Sequence, residues 1–284
     1  MVSFPKTIFT YWHQGFDRAP AIVQACCKRL LSVNVGWDVV FLDSGNIGDW
    51  IKPPAIDAEK FSQLRLPHRS DVLRTRLLIE HGGVWVDPTV WICKPLDNWL
   101  PQLMNAGVFL FHRPGRDRII ANWFIAAQPG NALLQRQYQA LCAYWNDNEF
   151  DNFDEPPGKA SQFLARLINR NLELPRLWLR TPIIRFFRTY PYMIYHYMMY
   201  DLVRSDPELG ALFEQMPKVS ADIPHSLAKK SLLRPLDEEA KQWIDSGQAP
   251  LFKLTWKLPT DSLATGSVLD YLISNGSSNT STCA

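Results

Sequence analysis

The stretch that decides the fold is HRSDVLRTRLLIEHGGVWVDPTVWICKPL, residues 68–96. Ser70 is a favourable helix N-cap, and Asp71 would follow it in the first turn, where the helix dipole favours an acid. The diglycine at 82–83 is a typical helix end. The β-branched and aromatic residues 84–86 are too few for another helix and predict a buried strand. The sequence therefore predicts a helix and a short strand joined by two glycines.

Charged side chains cluster on this helix and strand. Asp71 and Arg74 are three residues apart and share a helix face. Asp87 leaves the strand end, Pro88 interrupts the ladder, and Thr89 lies on the side of Asp87 if the chain stays extended. An acid and a guanidinium at a helix start, with a second acid at a strand end, suit a nucleotide diphosphate with its ribose or sugar nearby.

The preceding residues predict a strand, a helix and a strand. Residues 6–12 and 38–42 are rich in β-branched and aromatic residues, and 21–31 has helical apolar spacing after Pro20. This order implies a parallel pair with a right-handed crossover, and ligands of such sheets bind at the carboxyl ends of strands. The side chains expected at those ends are His13, Asp43 and Asp87.

The remaining chain predicts further mixed elements. We expect an irregular connection with a short helix at 52–67, strands at 107–113 and 119–127, a helix at 131–145 and an acidic loop at 146–158. Residues 159–204 have largely helical patterns. Residues 250–258 predict a strand or extended loop, 266–273 a short helix, and 275–284 a polar, disordered tail.

Composition excludes several classes of protein. The 284 residues are 46% hydrophobic and 20% charged, which is typical of a globular protein, and 30 basic against 28 acidic residues do not indicate nucleic-acid binding. Five cysteines without CxxC spacing predict reduced thiols rather than disulfides or a zinc site. No leader and no apolar run long enough for a bilayer is evident, so we expect a cytoplasmic protein, at most peripheral at the inner face of the membrane.

The motifs resemble a known family. Ser70-Asp71-x-x-Arg74 followed by Gly82-Gly83-x-x-x-Asp87-x-Thr89 is similar to the capsular-polysaccharide-synthesis and mannosyl-type sugar transferases, and distantly to the glucosylating domain of large clostridial toxins. The opening 4–12 and the Lys94-Pro95-Leu96-Asp97 segment also resemble that family. Those enzymes have an Asp-x-Asp strand end, whereas the second acid is Thr89 here.

The resemblance implies an α/β fold of the glycosyltransferase-A type, with a mixed, Rossmann-like sheet and a mostly helical acceptor lobe. We expect a single domain over 1–274, with a nucleotide-sugar half at 1–128, the helical lobe at 130–220 and a closing segment at 250–274. The implied activity is transfer of a hexose-type sugar from a UDP-sugar to a saccharide or lipid-linked saccharide acceptor. Retention of anomeric configuration and a role in capsule or other surface polysaccharide synthesis are also implied.

The resemblance assigns catalytic roles to Asp71, Arg74 and Asp87, and a metal-binding role to Asp87 and Thr89. By analogy, Asp71 would hold the donor sugar or ribose, and Arg74 would neutralise the diphosphate or orient the sugar, a task that suits its planar charged fork. Asp87 and Thr89 would bind a divalent cation, Mn²⁺ or Mg²⁺, although a hydroxyl is a poorer ligand than a carboxylate.

Other candidates would bind the donor. Tyr11, Trp12 and His13 end the first strand, where one ring either stacks on uracil or belongs to the core. Asn122 and Trp123 lie in an apolar strand, where a buried Asn needs partners and an edge-strand Asn does not. The alternating residues of the closing segment either cover the diphosphate or form a solvated strand face; they are Lys253, Thr255 and Lys257.

Two other functions remain open from the sequence. Thr89 is compatible with a non-catalytic sugar-nucleotide or glycan-binding relative. Residues 176–204 combine arginines with aromatic residues and methionines, which suits either a buried helical lobe or a membrane-associated polysaccharide assembly factor.

Overall fold

The computed structural model describes residues 4–150, 159–180, 184, 186, 188–258 and 265–276. Its strands are β1 (Thr7–Tyr11), β2 (Asp38–Leu42), β3 (Gly83–Val86), β4 (Val90–Ile92), β5 (Val108–Gly115), β6 (Arg118–Ala127) and β7 (Leu251–Lys253). The first helices are α1 (Ala21–Val33), α2 (Ala58–Gln63), α3 (Leu66–His81), α4 (Ala132–Asp147) and α5 (Lys159–Ile168). They are followed by α6 (Ile194–Ser205), α7 (Pro207–Gln215), α8 (Asp222–Lys229), α9 (Glu238–Asp245) and α10 (Val268–Asn275). Short 3₁₀ helices span Phe16–Arg18, Ile47–Asp49, Leu96–Asn98, Pro101–Leu103 and Leu174–Leu179.

Five of the described strands form one mixed sheet in the order β2-β1-β3-β6-β5. β1 pairs in parallel with β2 and with β3, while β6 runs antiparallel to β3 and β5. The expected mixed α/β sheet is therefore confirmed, and so is the parallel pair at the start of the chain. This topology brings the carboxyl ends of β1, β2 and β3 to one edge of the sheet.

Both faces of the sheet are covered. Successive residues of β1 and β3 alternate between two hydrophobic clusters, because strand side chains point to opposite faces in turn. Phe9 and Trp85 pack with α3, α4 and α6, whereas Ile8 and Val84 pack against residues of β4, β5 and the C-terminal end of α1. A central strand that is buried on both faces explains why the chain shows a continuous apolar run there.

The beginning of α3 differs from the sequence prediction. The helix starts at Leu66, with Arg65 as its N-cap and Pro67 in the first turn, so Ser70 and Asp71 lie inside the helix. Pro67 looked like part of an irregular connection, but proline is well tolerated in a first turn, where its missing N–H would be unpaired anyway. The expectation that the helix dipole favours Asp71 was wrong.

The diglycine ends α3 as predicted. Gly82 and Gly83 both have positive φ, 66° and 86°. A Cβ on Gly83 would lie 2.4 Å from the carbonyl oxygen of Thr7 in β1, so the close approach of β3 to β1 requires glycine. The diglycine therefore turns the chain from helix to strand and lets the central strand pair.

A small second sheet was only partly expected. β4 and β7 pair antiparallel, with Val90 opposite Lys253, so the strand at 250–258 is only three residues long. The strand β4, which starts two residues after Pro88, was missed although Val90, Trp91 and Ile92 favour a strand, because a run of three residues after a proline is too short for a clear signal. This pairing brings the late segment of the chain next to Asp87.

Helices dominate the later half of the described chain. The helix expected at 131–145 is confirmed with Asn131 as its N-cap, and the terminal helix at 266–273 is confirmed as α10. Within the described part of 159–204, the expected helical pattern is found in α5, a 3₁₀ turn and α6, and Ile184 and Phe186 are also helical. Most of the acidic loop and the tail from 277 lie outside the described residues.

Among the helices described here, none combines the length and apolarity needed to cross a membrane.

Candidate functional site

A cavity of about 860 Å³ opens at the sheet edge where β1 and β3 end. It is bordered by α3, the turn after β3, the middle of β6, the start of α6 and the segment after β7. The predicted candidates that line it are Tyr11, Asp71, Arg74, Asp87, Thr89, Asn122, Trp123, Lys253 and Lys257. Residues from distant parts of the sequence thus meet in one pocket that has room for a ligand.

Arg74 lies at the centre of the polar network under this cavity. Its guanidinium lies 3.3 Å from Asp87 Oδ1 and 3.5 Å from Asp71 Oδ1. Each nitrogen also donates to a fixed acceptor: Nε to the Ser70 carbonyl, Nη2 to Ser70 Oγ, and Nη1 to the carbonyl of Asn122. Arg74 is only 5% exposed. Because its donors are used within the protein, Arg74 holds the two acids in place.

Asp87 is anchored on several sides. Its backbone N–H donates to the carbonyl of Trp123 in β6, and its Oδ1 accepts from the indole Nε1 of Trp85 at 2.9 Å. The Trp85 ring lies under the Arg74 guanidinium, 4.9 Å away. Burial alone would raise the pKa of Asp87, but Lys253, Arg74 and the Trp85 hydrogen bond together lower it. Asp87 is therefore a carboxylate at neutral pH.

Asp71 has a different electrostatic environment. Its Oδ1 accepts a 2.8 Å hydrogen bond from Asn122 Nδ2, which is the partner that a buried Asn needs. Burial raises the pKa of Asp71 to about 7, and nearby Asp87 adds to the rise, while Arg74 and the Asn122 hydrogen bond oppose it. The two acids thus differ in protonation: Asp87 stays charged while Asp71 titrates near neutral pH.

Lys253 joins Asp87 and Thr89 from the second sheet. Its Nζ lies 3.2 Å from Asp87 Oδ2 and donates a hydrogen bond to Thr89 Oγ1. The backbone fixes this arrangement, because Leu254 N–H donates to the Thr89 carbonyl at 2.8 Å and Val90 N–H to the Asp87 carbonyl at 2.9 Å. The ammonium therefore lies between the two side chains expected to bind a cation.

The residues present do not fit a divalent cation. Asp87 Oδ2 faces Lys253, Asp87 Oδ1 accepts from Trp85 and faces Arg74, and Thr89 Oγ1 accepts from Lys253. Mg²⁺ and Mn²⁺ prefer several hard oxygen ligands. Within the described part of the chain, no group of three or more His, Cys, Asp or Glu side chains is arranged to hold a metal.

The remaining candidates divide into two groups. Tyr11 and Trp123 line the cavity, and so does Trp256, which was not among the candidates. By contrast, Trp12, His13 and Thr255 do not belong to its described lining. The Trp12 ring packs edge-to-face on Trp256 at 5.6 Å, His13 Nδ1 hydrogen-bonds the Tyr11 hydroxyl, and Thr255 Oγ1 accepts from Lys257 N–H in a turn. These three therefore support residues that line the pocket.

Several lining residues were missed in the sequence. Cationic Arg118 and Lys229, together with His225 and Tyr192, also border the cavity. His196 borders it as well; its sequence context is compatible with a helix histidine or with a place in an acceptor pocket. Burial lowers the pKa of His196 to about 3 and of His225 to about 4, so both rings are neutral. The aromatic and basic composition of 176–204 was a signal for Tyr192 and His196. No local pattern marked the others, which reach the site only through folding.

The cavity has an excess of positive charge. Its carboxylates are Asp71 and Asp87. Its basic residues are Arg74, Arg118, Lys229, Lys253 and Lys257, of which Arg118 and Lys229 also pair with Asp117 and Asp222 outside the lining. Because the low-dielectric surroundings of a cleft strengthen its field, such a lining favours an anionic ligand.

The protein is thus a mixed α/β protein with a cationic pocket at the ends of its parallel strands. A family model described as "Capsular polysaccharide synthesis protein" matches residues 2–153, more than half of the chain, and the chain belongs to that family. The part of the chain that carries Asp71, Arg74, Asp87 and Asn122 lies within the match.

Individual relatives are more distant. The chain is 25% identical over 166 residues to "O-glycosyltransferase braB" of Annulohypoxylon truncatum. That match covers 51% of this chain and 39% of the relative, so the chain spans only about two fifths of the relative's length. A solved structure titled "PaToxG Glycosyltransferase" is 11% identical, with a TM-score of 0.41 over 75% of each chain.

Proposed function

We propose that this protein is a glycosyltransferase that moves a hexose-type sugar from a UDP-sugar to a saccharide or lipid-linked acceptor in surface polysaccharide synthesis. Its membership of the capsular polysaccharide synthesis family supports the pathway, and the name of the fungal relative supports the reaction class. The donor, the acceptor and the retaining stereochemistry are part of the proposal.

One observation carries the proposal. Asp71, Arg74, Asp87 and Lys253 meet at the carboxyl end of parallel strands, beside a cavity of about 860 Å³ with surplus positive charge. Strand ends of this kind are the usual ligand sites of α/β sheets. The volume and the charge suit a nucleoside diphosphate with an attached sugar.

The hard step of such a transfer is departure of the nucleoside diphosphate while positive charge builds up on the sugar ring. Lys253 and Lys257 would neutralise the leaving phosphates, since fixed cations stabilise charge that develops in a transition state. Arg74 would keep Asp87 and Asp71 in position. Asp71, with Asn122, would bind a sugar or ribose hydroxyl, because its carboxyl group lies at the cavity wall.

The retaining course needs no protein base in this proposal. An oxygen of the departing phosphate takes the proton of the acceptor hydroxyl while that hydroxyl attacks the same face of the sugar. His196 and His225 line the cavity as neutral rings, and they have no assigned proton-transfer role in this scheme.

A thermal-shift panel tests the donor site. UDP-, GDP- and CMP-sugars are added separately, each with Mn²⁺ and with EDTA. We expect a UDP-sugar to raise Tm, because a ligand of the native state stabilises it. Asp87→Asn should reduce the shift, because it removes the charge that holds Arg74 and Lys253 in place, whereas the control Asp49→Asn, an exposed acid on a 3₁₀ helix, should keep it. Absence of a shift with every nucleotide sugar would refute the donor assignment.

Turnover separates an enzyme from a non-catalytic sugar-nucleotide-binding relative, the alternative that Thr89 keeps open. Donor hydrolysis or transfer, followed by NMR of the anomeric proton, should give a product with the configuration of the donor. Binding of a UDP-sugar without any turnover across a panel of saccharide acceptors would favour the non-catalytic function.

The membrane-associated alternative has its own test. Three arginines of 176–204 have acidic partners: Arg176 and Arg180 pair with Asp201, and Arg204 pairs with Glu173. Tyr195 and Tyr197 are buried in the core. These contacts favour a helical lobe, so we expect no co-sedimentation of the protein with anionic liposomes.

A further inference from the structure

We propose that the ammonium of Lys253 takes the place of a divalent cation at Asp87 and Thr89, so that the site binds a nucleoside diphosphate without metal. This inference rests on the proposed function and concerns how its donor phosphates are held. It departs from the expectation of Mn²⁺ or Mg²⁺ that the sequence resemblance implied.

The first argument is the occupancy of the oxygen atoms. A metal at this place would need Asp87 Oδ2 and Thr89 Oγ1, and both already face Lys253 Nζ. Asp87 Oδ1 accepts from Trp85 and faces Arg74. A divalent ion bound to Asp87 would also lie within a few ångströms of two cationic side chains, and their repulsion disfavours it.

The second argument is charge balance. Two carboxylates at a strand end would be balanced by a divalent cation. Here one acid is replaced by the neutral Thr89, and the remaining Asp87 is balanced by the single charge of Lys253. One acid fewer removes one negative charge, and a monovalent in place of a divalent cation removes one positive charge. The net charge of the group is therefore unchanged.

The third argument is the donor count of Lys253. An ammonium has three N–H donors, and the contacts with Asp87 and Thr89 use two of them. The Lys253 side chain is 20% exposed and lines the cavity. Among the described residues the third N–H has no other acceptor, so it is available to a phosphate oxygen, and Lys253 would bridge the acid and the ligand as a metal ion would.

The fourth argument is rigidity. The β4–β7 ladder sets Lys253 opposite Val90, and the Leu254 N–H bond to Thr89 continues the ladder by one residue. A long lysine side chain held by a backbone ladder and two acceptors has lost much of its freedom before the ligand arrives. Such preorganisation lowers the cost of binding.

Isothermal titration calorimetry with UDP tests the inference on protein stripped with EDTA and then supplied with Mn²⁺. We expect wild-type affinity to change by less than about twofold between the two conditions. Lys253→Met, which keeps the chain length without the charge, should lose about tenfold or more in EDTA, the worth of one charged hydrogen bond. The matched control Lys28→Met, at an exposed position of α1, should bind as wild type does.

A second pair of variants covers a failure of Lys253→Met to fold. Lys253→Arg keeps the cation and should keep most of the metal-free affinity. Thr89→Asp combined with Lys253→Met restores a second acid and removes the ammonium, so its UDP affinity should recover only with Mn²⁺. Electron paramagnetic resonance of Mn²⁺ alone should show bound ion for this double variant and not for wild type.

Three results would overturn the inference: a wild-type affinity that falls about tenfold on metal removal, Mn²⁺ bound by wild type in an Asp87-dependent manner, or unchanged UDP binding by folded Lys253→Met. Binding that strictly needs Mn²⁺ would refute the role of Lys253 and leave the proposed donor site standing. Binding of no nucleotide in either condition would refute both.

Discussion

Arg74 Nη1 lies 3.3 Å from Asp87 Oδ1, and this contact connects a buried helix to the end of the central strand. The same guanidinium lies 3.5 Å from Asp71. One cation thus separates two acids that would otherwise repel each other within a cavity wall. The site is organised around this ion triad, and its behaviour on substitution follows from the charges.

Arg74→Met should lower the free energy of unfolding by roughly 3 kcal/mol, because it removes the guanidinium beside the buried Asp71 and one of the two cations beside the half-buried Asp87. Adding Asp71→Asn should recover part of that loss. Urea unfolding of both variants measures this, with Arg76→Met, on the same helix but paired with Glu80 at 28% exposure, as a control expected to cost less. A double variant no more stable than Arg74→Met would argue against the triad.

Asp71→Asn should change the pH dependence of stability. Burial raises the pKa of Asp71 from 3.8 to about 7, so the native state holds this proton more tightly than the unfolded chain does. The contribution of the protonated Asp71 to stability is fully present below about pH 3.8 and is lost progressively as the pH rises to about 7. Between pH 5 and pH 8, wild type should lose on the order of 2 kcal/mol that the variant retains. Equal differences in Tm at both pH values would contradict this.

His68→Phe should act in the opposite pH direction. His68 is 1% exposed among Trp145, Tyr190 and Tyr192, and neither ring nitrogen has a hydrogen-bond partner among the described residues. Burial, with nearby Arg65, lowers its pKa to about 3. The contribution of neutral His68 to stability is therefore fully present above about pH 6.5. It decreases at lower pH, because the unfolded chain then takes up a proton that the native state does not bind. From pH 7 to pH 5, wild type should lose roughly 2 kcal/mol more than the variant.

Trp256→Ala tests the base-binding side of the cavity. The Trp256 side chain lines the cavity at 45% exposure and packs against Trp12. If uracil stacks on this ring, its loss should weaken UDP binding by roughly tenfold, the usual range for one base on one aromatic ring. Trp243→Ala, on α9 outside the described lining, should leave UDP affinity unchanged. Quenching of tryptophan fluorescence by UDP in wild type, reduced in Trp256→Ala, provides the measurement.

Gly83→Ala tests the approach of β3 to β1. The added Cβ would lie 2.4 Å from the Thr7 carbonyl oxygen, in a residue with φ of 86°. Gly36 has the same φ, but a Cβ there would meet nothing within 4 Å. Gly36→Ala should therefore lower the free energy of unfolding only by the cost of a positive φ in alanine, about 1 kcal/mol. Gly83→Ala should lower it by several kcal/mol or prevent folding. Equal urea midpoints for the two variants would contradict the steric argument.

Local sequence patterns predicted much of the frame that carries the site. The strand at 38–42 has the predicted bounds, and the helix, diglycine and strand leading to Asp87 are in the predicted order. These signals are local: periodicity, β-branched residues and glycines with positive φ act over a few residues. The start of α3 was wrong because Ser70 has the chemistry of a cap, yet in the folded protein its hydroxyl accepts from Arg74.

The sequence by itself determined that an acid follows a buried strand, that Asp71 and Arg74 share a helix face, and that a neutral Thr89 stands two residues beyond Asp87. Only the tertiary structure decided what completes the group. Lys253 reaches Thr89 across 164 residues of chain through the β4–β7 pairing, and Asn122 reaches Asp71 from an antiparallel strand. Contacts between distant residues depend on the packing of the whole sheet, and no local spacing encodes which cation will meet which acid.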